Sequence, residues 1–271
     1  MKQTFDTPDP ITLYVELGAG LLKAVATETG EALVEITGPN ADDFTIDMSG
    51  QRLAVVAPHG RFFSRGGSHE VTVTLPAGSD LVTKMGSADT ATTGVFGAVQ
   101  MKTGSGDIEL DRAEGAVVIE SGSGDVKGYE LGADVRIKSG SGDIDLGDIR
   151  GTTGISTGSG DVVLGLVHSN TIIKTGSGDL QVKRSEANVT LTTASGDLTI
   201  GVAPRGKVTA KNVSGDVHVG IPAGTPVWTD INTVSGSVRS TLASTGKPAD
   251  GQDFVELRAT TVSGDVHLQQ V

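Results

Sequence analysis

The sequence predicts an all-β fold, a parallel β-solenoid with about 18 residues per coil, and three observations support it. A Ser-Gly-Asp turn recurs at a fixed spacing, the segments beside each turn alternate apolar and polar residues, and no segment of useful length has helical periodicity. Aromatic residues are only 3% of the chain, whereas glycine occurs 39 times. This composition is typical of short strands and many turns around a core of Val, Ile, Leu and Ala.

The aspartate of the repeated turn recurs every eighteen residues through the middle of the chain, from Asp107 to Asp197. Upstream, Asp89 continues the row, with Ala88 in place of the turn glycine. Downstream the step lengthens to nineteen at Asp216, twenty-one at Ser237 and twenty-eight at Asp265. The row therefore indicates ten turns, with regular coils in the middle and irregular coils near residue 271.

Each turn lies between two short strands. Apolar residues occur one and three positions after the aspartate, such as Ile144 and Leu146, and eight and six positions before it, such as Val135 and Ile137. This alternation indicates strands with one buried face. Because neither strand can bury that face alone, successive units are expected to stack, with backbone hydrogen bonds between equivalent residues.

The turn residues themselves are interpreted as a structural row. Glycine before the aspartate suits a positive φ or a close approach between coils, and stacked aspartates would stand about 5 Å apart and repel one another. We therefore expect each carboxylate to accept backbone N–H bonds from its own corner. The row consists of Gly106, Asp107, Gly124, Asp125, Gly142, Asp143, Gly160, Asp161, Gly178, Asp179, Gly196 and Asp197.

Two functional interpretations of the aspartates compete with this structural one. A row of calcium ions, as in nonapeptide β-rolls, needs six to eight oxygens per ion, more than one Gly-Asp corner per coil supplies. A polysaccharide-active β-helix enzyme needs groove walls built from long insertions, and none interrupts the repeat between Asp89 and Asp197. We therefore expect no catalytic residues, no cofactor and no metal.

Residues 1–85 are β-like but irregular, and they are predicted to form an N-terminal β region, either a cap or degenerate coils. Residues 86–271 form the predicted solenoid repeat domain. Because both ends depart from the regular repeat, we expect a monomer or a small closed homo-oligomer rather than a filament.

Two places are candidate contacts for an unknown protein partner. Phe62 and Phe63 lie between arginines in "HGRFFSRGGSH", where they suit either packing in a cap or contact with a partner or membrane surface. Trp228 points outward by strand parity in "PVWTDINT", where it suits either partner contact or packing under the insertion that follows. The histidines are expected on solvated faces, with the unit carrying Ser237 and Arg239 separating His218 from His267.

Charge and composition limit the remaining function classes. The formal net charge is −12 and the basic residues are not clustered, so nucleic acid is an unsuitable partner. The chain contains no cysteine, which excludes disulfides and thiolate metal sites. No apolar stretch has the length of a signal peptide or a membrane span, so a cytoplasmic location is predicted.

With the repeat established, the chain resembles a bacterial β-strand-repeat family often labelled "putative adhesin", particularly its actinobacterial members. The resemblance runs nearly end to end, through "TFDTPDPITLYVELGAG", "EVTVTLPAGSDL", "TGSGDI", "VWTDINTVSGSV" and "VELRATTVSGDV". It implies a β-solenoid and little chemistry. We therefore predict a non-enzymatic scaffold or protein-interaction module, with a calcium-stabilised adhesin-type binding protein as the alternative and a polysaccharide-active enzyme third.

Overall fold

A computed structural model of the chain describes residues 1–58, 68–243 and 246–271 and confirms the all-β parallel solenoid. The chain divides into two compact units, Met1–Ser141 and Gly142–Val271. In each unit two sheets bury their inward faces against each other. The predicted division at residue 85 marks where the repeat becomes regular, and it remains a prediction.

The first unit, in its described part, contains a single 3-10 helix, η1 (Ala41–Asp43), and strands that are short throughout. They are β1 (Lys2–Asp6), β2 (Thr12–Leu17), β3 (Gly20–Thr27), β4 (Glu31–Thr37), β5 (Thr45–Ser49), β6 (Arg52–Val56), β7 (His69–Pro76), β8 (Asp80–Met85), β9 (Asp89–Thr93), β10 (Val95–Phe96), β11 (Val99–Thr103), β12 (Ile108–Ala113), β13 (Val117–Ser121), β14 (Val126–Leu131) and β15 (Val135–Ser139).

The sheets of the first unit are parallel except at one edge. One sheet has the order β1-β4-β7-β3-β9-β12-β14 and the other β5-β6-β2-β8-β11-β13-β15. The antiparallel pairs are β1 with β4, β4 with β7, and β5 with β6. These strands cover the edges of the coil formed by β6 and β7. The first coil in the sequence, β2 and β3, lies one level inward, between that coil and β8 and β9.

The second unit consists of strands in its described part. They are β16 (Ile144–Ile149), β17 (Thr153–Ser159), β18 (Val162–Val167), β19 (Thr171–Ser177), β20 (Leu180–Ser185), β21 (Val189–Thr192), β22 (Leu198–Val202), β23 (Gly206–Lys211), β24 (Val217–Ile221), β25 (Val227–Ser235), β26 (Val238–Ser240), β27 (Val255–Ser263) and β28 (Val266–Gln270).

The coils of the second unit do not stack in sequence order at their end. The two sheets have the orders β16-β18-β20-β22-β24-β28-β26 and β17-β19-β21-β23-β27-β25. The last coil in the sequence, β27 and β28, therefore lies between β23 and β24 on one side and β25 and β26 on the other. The twenty-eight residues between Ser237 and Asp265 give the chain enough length to return one level inward.

The alternation of the repeat places its apolar residues in the core as predicted. Ile144 and Leu146 are each 1% exposed, and Val162 and Leu164 are fully buried in the next coil. Equivalent residues pair across coils, with Ile144 opposite Val162 and Val162 opposite Leu180. The core is thus a set of apolar rows running from coil to coil.

The turn glycines of the second unit require the absence of a side chain, and Gly160 provides the test. Its φ is 120°, and a Cβ built on it would collide with the backbone carbonyl of Gly142. We expect Gly160→Val to lower the free energy of unfolding by about 3 kcal/mol or more, from backbone strain and a forced separation of coils. Urea unfolding followed by circular dichroism measures this.

Gly154→Val is the matched control, because Gly154 is exposed and an added Cβ meets nothing within 4 Å. It should change stability by less than about 0.5 kcal/mol. Equal effects of the two substitutions would contradict the assignment of Gly160 to a corner that excludes side chains.

Candidate functional site

The repeated aspartates form a hydrogen-bonded ladder in each unit. The Oδ1 atom of one aspartate accepts the backbone N–H of the aspartate in the next coil, at 2.7–2.9 Å. The donor and acceptor pairs are Asp107 to Asp89, Asp125 to Asp107, Asp161 to Asp143, Asp179 to Asp161, Asp197 to Asp179 and Asp216 to Asp197.

The direction of these bonds differs from the sequence prediction. We expected each carboxylate to accept N–H groups from its own corner, whereas the observed bonds run between coils. Each amide lies between two successive carboxylates, so its positive end offsets part of their repulsion. The carboxylates therefore join coils, and a different group holds each corner.

A row of hydroxyl residues holds the corners from inside, and the sequence analysis missed it. Thr103 Oγ1 accepts the N–H of Gly106 at 3.0 Å, and Ser121 Oγ accepts that of Gly124 at 3.1 Å. In the second unit Thr157 donates to the carbonyl of Ser159 at 2.9 Å. The signal was available, because a Thr or Ser occupies the fourth position before the aspartate in "TGSGD", "SGSGD" and "TASGD".

The ladder ends at Ser237. Because β28 lies between β24 and β26, the Asp265 N–H donates to Asp216 Oδ1 at 2.7 Å, and the Ser237 N–H donates to Asp265 Oδ1 at 2.8 Å. This backbone bond from Ser237 holds the pKa of the Asp265 carboxyl below its ordinary value. The contact therefore weakens as the pH falls through that pKa. Ser237 has no carboxylate to offer to a further coil.

The outermost coil of the second unit, residues 227–240, is called the terminal coil below. Its strands β25 and β26 are the last strands of their sheets. Trp228 is 51% exposed, as parity predicted, and the Arg258 guanidinium lies 5.7 Å from its ring centre. Val234 is 82% exposed and Val238 50%. The coil thus exposes apolar side chains beside two strand edges.

A cleft of about 370 Å³ opens between the two strands of the terminal coil. Inward-facing apolar residues line it, including Val227, Ile231, Val238 and Leu242. In the next coil inward, Val255, Ala259 and Val266 lie opposite Val227, Ile231 and Val238 and are fully buried. The cleft is therefore the uncovered end of the apolar core.

The remaining candidate contact residues are Phe62, Phe63 and Trp228. Phe62 and Phe63 lie outside the described residues, so their contact role remains a prediction. The role of Trp228 as a partner contact is likewise a prediction, although its outward position is observed.

The expected separation of His218 and His267 is wrong. Their rings are stacked, with centroids 4.8 Å apart and planes at 7°. Because β28 lies between β24 and β26, His267 is the neighbour of His218, and Arg239 lies on the far side of His267. Among the described residues, no group of three or more His, Cys, Asp or Glu side chains could hold a metal ion.

In the part of the chain that the structure describes, no helix could span a lipid bilayer.

The ladder bond can be tested at Asp179, which donates to Asp161 and accepts from Asp197. Asp179→Ala removes an acceptor from an exposed amide, so we expect a loss of about 1 kcal/mol in the free energy of unfolding. Asp179→Asn keeps an acceptor oxygen and removes one of the stacked charges, so its stability should stay close to wild type. Urea unfolding at low and high salt measures both variants, and an Asn variant as unstable as the Ala variant would contradict the ladder.

None of the curated proteins matches the chain in sequence. A solved structure described as a "putative lipid binding protein" from Parabacteroides distasonis is 12% identical, with a TM-score of 0.44, covering 99% of this chain and 96% of that one.

Two further solved structures are described as a "putative adhesin". The one from Parabacteroides merdae is 14% identical, with a TM-score of 0.42, covering 99% of this chain and 95% of that one. The one from Bacteroides fragilis is 13% identical, with a TM-score of 0.34, covering 99% and 96%. The family of Toastrack DUF4097 proteins matches residues 11–269, and the chain therefore belongs to that family.

Proposed function

We propose that this protein is a non-enzymatic cytoplasmic scaffold or protein-interaction module, and that it binds its partner through the terminal coil. The observation that carries the proposal is the group of exposed apolar residues Trp228, Val234 and Val238 on the outermost strands. Aromatic residues that are half exposed beside other apolar side chains are typical anchors of protein interfaces.

Charged pairs between neighbouring coils occur on the outward faces of other coils, which supports assigning the interaction to the terminal coil. Lys102 pairs with Glu120 of the next coil at 3.0 Å, and Lys207 pairs with Glu256 at 3.2 Å. The Lys102 ammonium lowers the pKa of the Glu120 carboxyl. Such opposite charges on neighbouring strands suit a hydrated surface, whereas the terminal coil carries three exposed apolar side chains, Trp228, Val234 and Val238.

The bonding of the aspartates supports a structural role over calcium binding or catalysis. In Asp107, Asp161 and Asp179 one carboxylate oxygen already accepts a backbone N–H. Calcium prefers six to eight oxygen ligands, and the remaining oxygens of a single row supply fewer. Glycoside cleavage needs two carboxyl groups on either side of the scissile bond, whereas these aspartates follow one another along a single row.

Site-specific photo-crosslinking in the native cell tests the proposed binding surface. A photo-reactive phenylalanine replacing Trp228 should form a covalent adduct with a protein, because the terminal coil is the contact surface. The matched control replaces Tyr129, which is 50% exposed in the first unit. Adducts at 228 and none at 129 are expected, while equal adducts at both positions, or none at 228, would argue against the terminal coil.

The cytoplasmic part of the proposal is checked in the same cells by fractionation. The protein should appear with cytoplasmic markers, and recovery with the envelope or the medium would overturn this part.

Calcium dependence separates the scaffold from the adhesin-type alternative. A calcium ion bound to the native state at one hundred times its Kd would add about 2.7 kcal/mol of stability and raise the melting temperature by several degrees. We expect no such change between millimolar calcium and chelator, because the aspartates already have amide partners. Differential scanning calorimetry measures this, and a rise of several degrees would favour the adhesin.

A further inference from the structure

We propose that the partner of the terminal coil is a second copy of this chain, and that the two copies join by antiparallel pairing of β25 about a two-fold axis at Ile231. The inference rests on the proposed function and names the partner of the same surface. Four properties of β25 carry it: a free edge, the direction of its backbone groups, a self-complementary sequence, and an uncovered core beside it.

The edge is available for pairing. β25 is the outermost strand of its sheet and β26 of the other, and in the described part of the chain nothing pairs with their outer edges. A strand edge of nine residues is long enough to template another strand, and such edges are normally shortened, charged or covered. The edge of β25 is uncovered, and the exposed apolar side chains of Trp228 and Val234 lie along this strand.

The backbone groups of β25 fix which residues bond outward. The Val255 N–H donates to the Pro226 carbonyl at 3.0 Å, which sets the ladder between β27 and β25. In a parallel ladder the bonds to one neighbour come from every second residue. From Pro226 to Thr233 the even-numbered residues therefore face β27, and the odd-numbered residues direct their N–H and C=O groups to the free edge. At the corner that follows, the Ser235 carbonyl instead accepts the Gly264 N–H at 3.1 Å.

The sequence of β25 is complementary to itself when reversed about Ile231. In "WTDINTV", residues 228–234, antiparallel pairing centred on Ile231 places Trp228 opposite Val234 of the second copy. The same register pairs Asp230 with Asn232, and Thr229 with Thr233. These pairs are apolar with apolar, carboxylate with amide, and hydroxyl with hydroxyl, and each occurs twice because the interface is isologous.

This register also agrees with the backbone directions. It places odd-numbered residues opposite odd-numbered residues, so Ile231 and its equivalent exchange both hydrogen bonds across the axis. Trp228 and Val234 then form a non-hydrogen-bonded pair, in which Cα atoms are about 4.5 Å apart and side chains make their closest contact. The two most exposed apolar groups of β25 are thus brought together.

The core supplies the second layer of the contact. Val227, Ile231, Val238 and Leu242 line the cleft at the uncovered end of the apolar rows. A two-fold axis through Ile231 brings the cleft of one copy against that of the other, so the two cores become continuous. Burial of these apolar groups adds the non-directional part of the binding free energy.

A two-fold contact fits the end of the ladder better than addition of further parallel coils does. A parallel coil would need an acceptor for its turn amide, and Ser237 has no carboxylate in the place where other turns have Asp. Isologous pairing needs no such acceptor and uses the whole edge, so it closes at two copies.

Sedimentation equilibrium of the full chain over a concentration series tests the association. Wild type should be a dimer at high concentration, and Val234→Lys should raise the dimer Kd at least about tenfold, because a lysine replaces an apolar partner of Trp228 at two symmetric places. Val213→Lys is the control, because Val213 holds the same place in its repeat and is 54% exposed, but lies two strands inward from β25.

Cysteine crosslinking tests the register. The chain has no cysteine, so Ile231→Cys introduces a single thiol per copy. In the proposed pair the two Cα atoms are about 5.5 Å apart, within the range of about 4.4–6.8 Å that a disulfide requires. Oxidation should therefore give a covalent dimer. Thr229→Cys is the control, because its equivalents are offset by four residues, about 14 Å along the strand.

The outcomes separate this inference from the function on which it rests. A crosslink at 231 and none at 229, with a weakened Val234→Lys dimer, supports the two-fold pairing. A monomer at all concentrations, or efficient crosslinking at 229, overturns it. If photo-crosslinking at 228 captures a different protein while the purified chain stays monomeric, the interaction module stands and the self-pairing fails.

Discussion

The close approach of glycine backbones at the turns is the constraint on which the rest of the structure depends. In the second unit the carbonyl of one turn glycine occupies the place that a Cβ of the next would take. Only this approach brings the amide of an aspartate within 2.7–2.9 Å of the carboxylate in the neighbouring coil. The strands on either side then meet in register, and their apolar residues form continuous rows.

Two rows of side chains form hydrogen bonds at the turns, one within each corner and one between coils. The inner hydroxyl, such as that of Thr157, satisfies backbone groups of its own corner. The outer carboxylate, such as that of Asp161, binds the amide of the next coil. A corner with only the first would keep the backbone bonds to its neighbour, such as that from the Gly160 N–H to the Ser177 carbonyl, but would lose the side-chain bond. The six regular turns from Asp107 to Asp197 therefore keep both the spacing between hydroxyl and carboxylate and the glycine between them.

The fold could be predicted because the sequence pattern that specifies it, a turn between alternating segments, repeats with a fixed period. The eighteen-residue step and the alternation around Ile144 and Leu146 fix the coil length, the inward face and the register. The hydrogen-bond partner of Asp179 could not be obtained in this way, because an acceptor one coil away and one within the corner have the same period. Parity placed Trp228 outward correctly, but its neighbours depend on coil order. The coil order also makes His218 and His267 neighbours. It could not be predicted, because the spacing of the turns gives the length of a connection but not the coil beside which the chain next lies.

The displaced position of the last coil has a consequence for synthesis on the ribosome. When residues 227–240 emerge, β27 and β28 do not yet exist, so β23 and β24 offer the nearest open edges. In the finished molecule those edges belong to β27 and β28. The terminal coil therefore has to wait unpaired, or release a temporary pairing, before residues 255–271 take their place. The coil that is outermost in the finished molecule thus gains its permanent neighbours only after β27 and β28 have been synthesised.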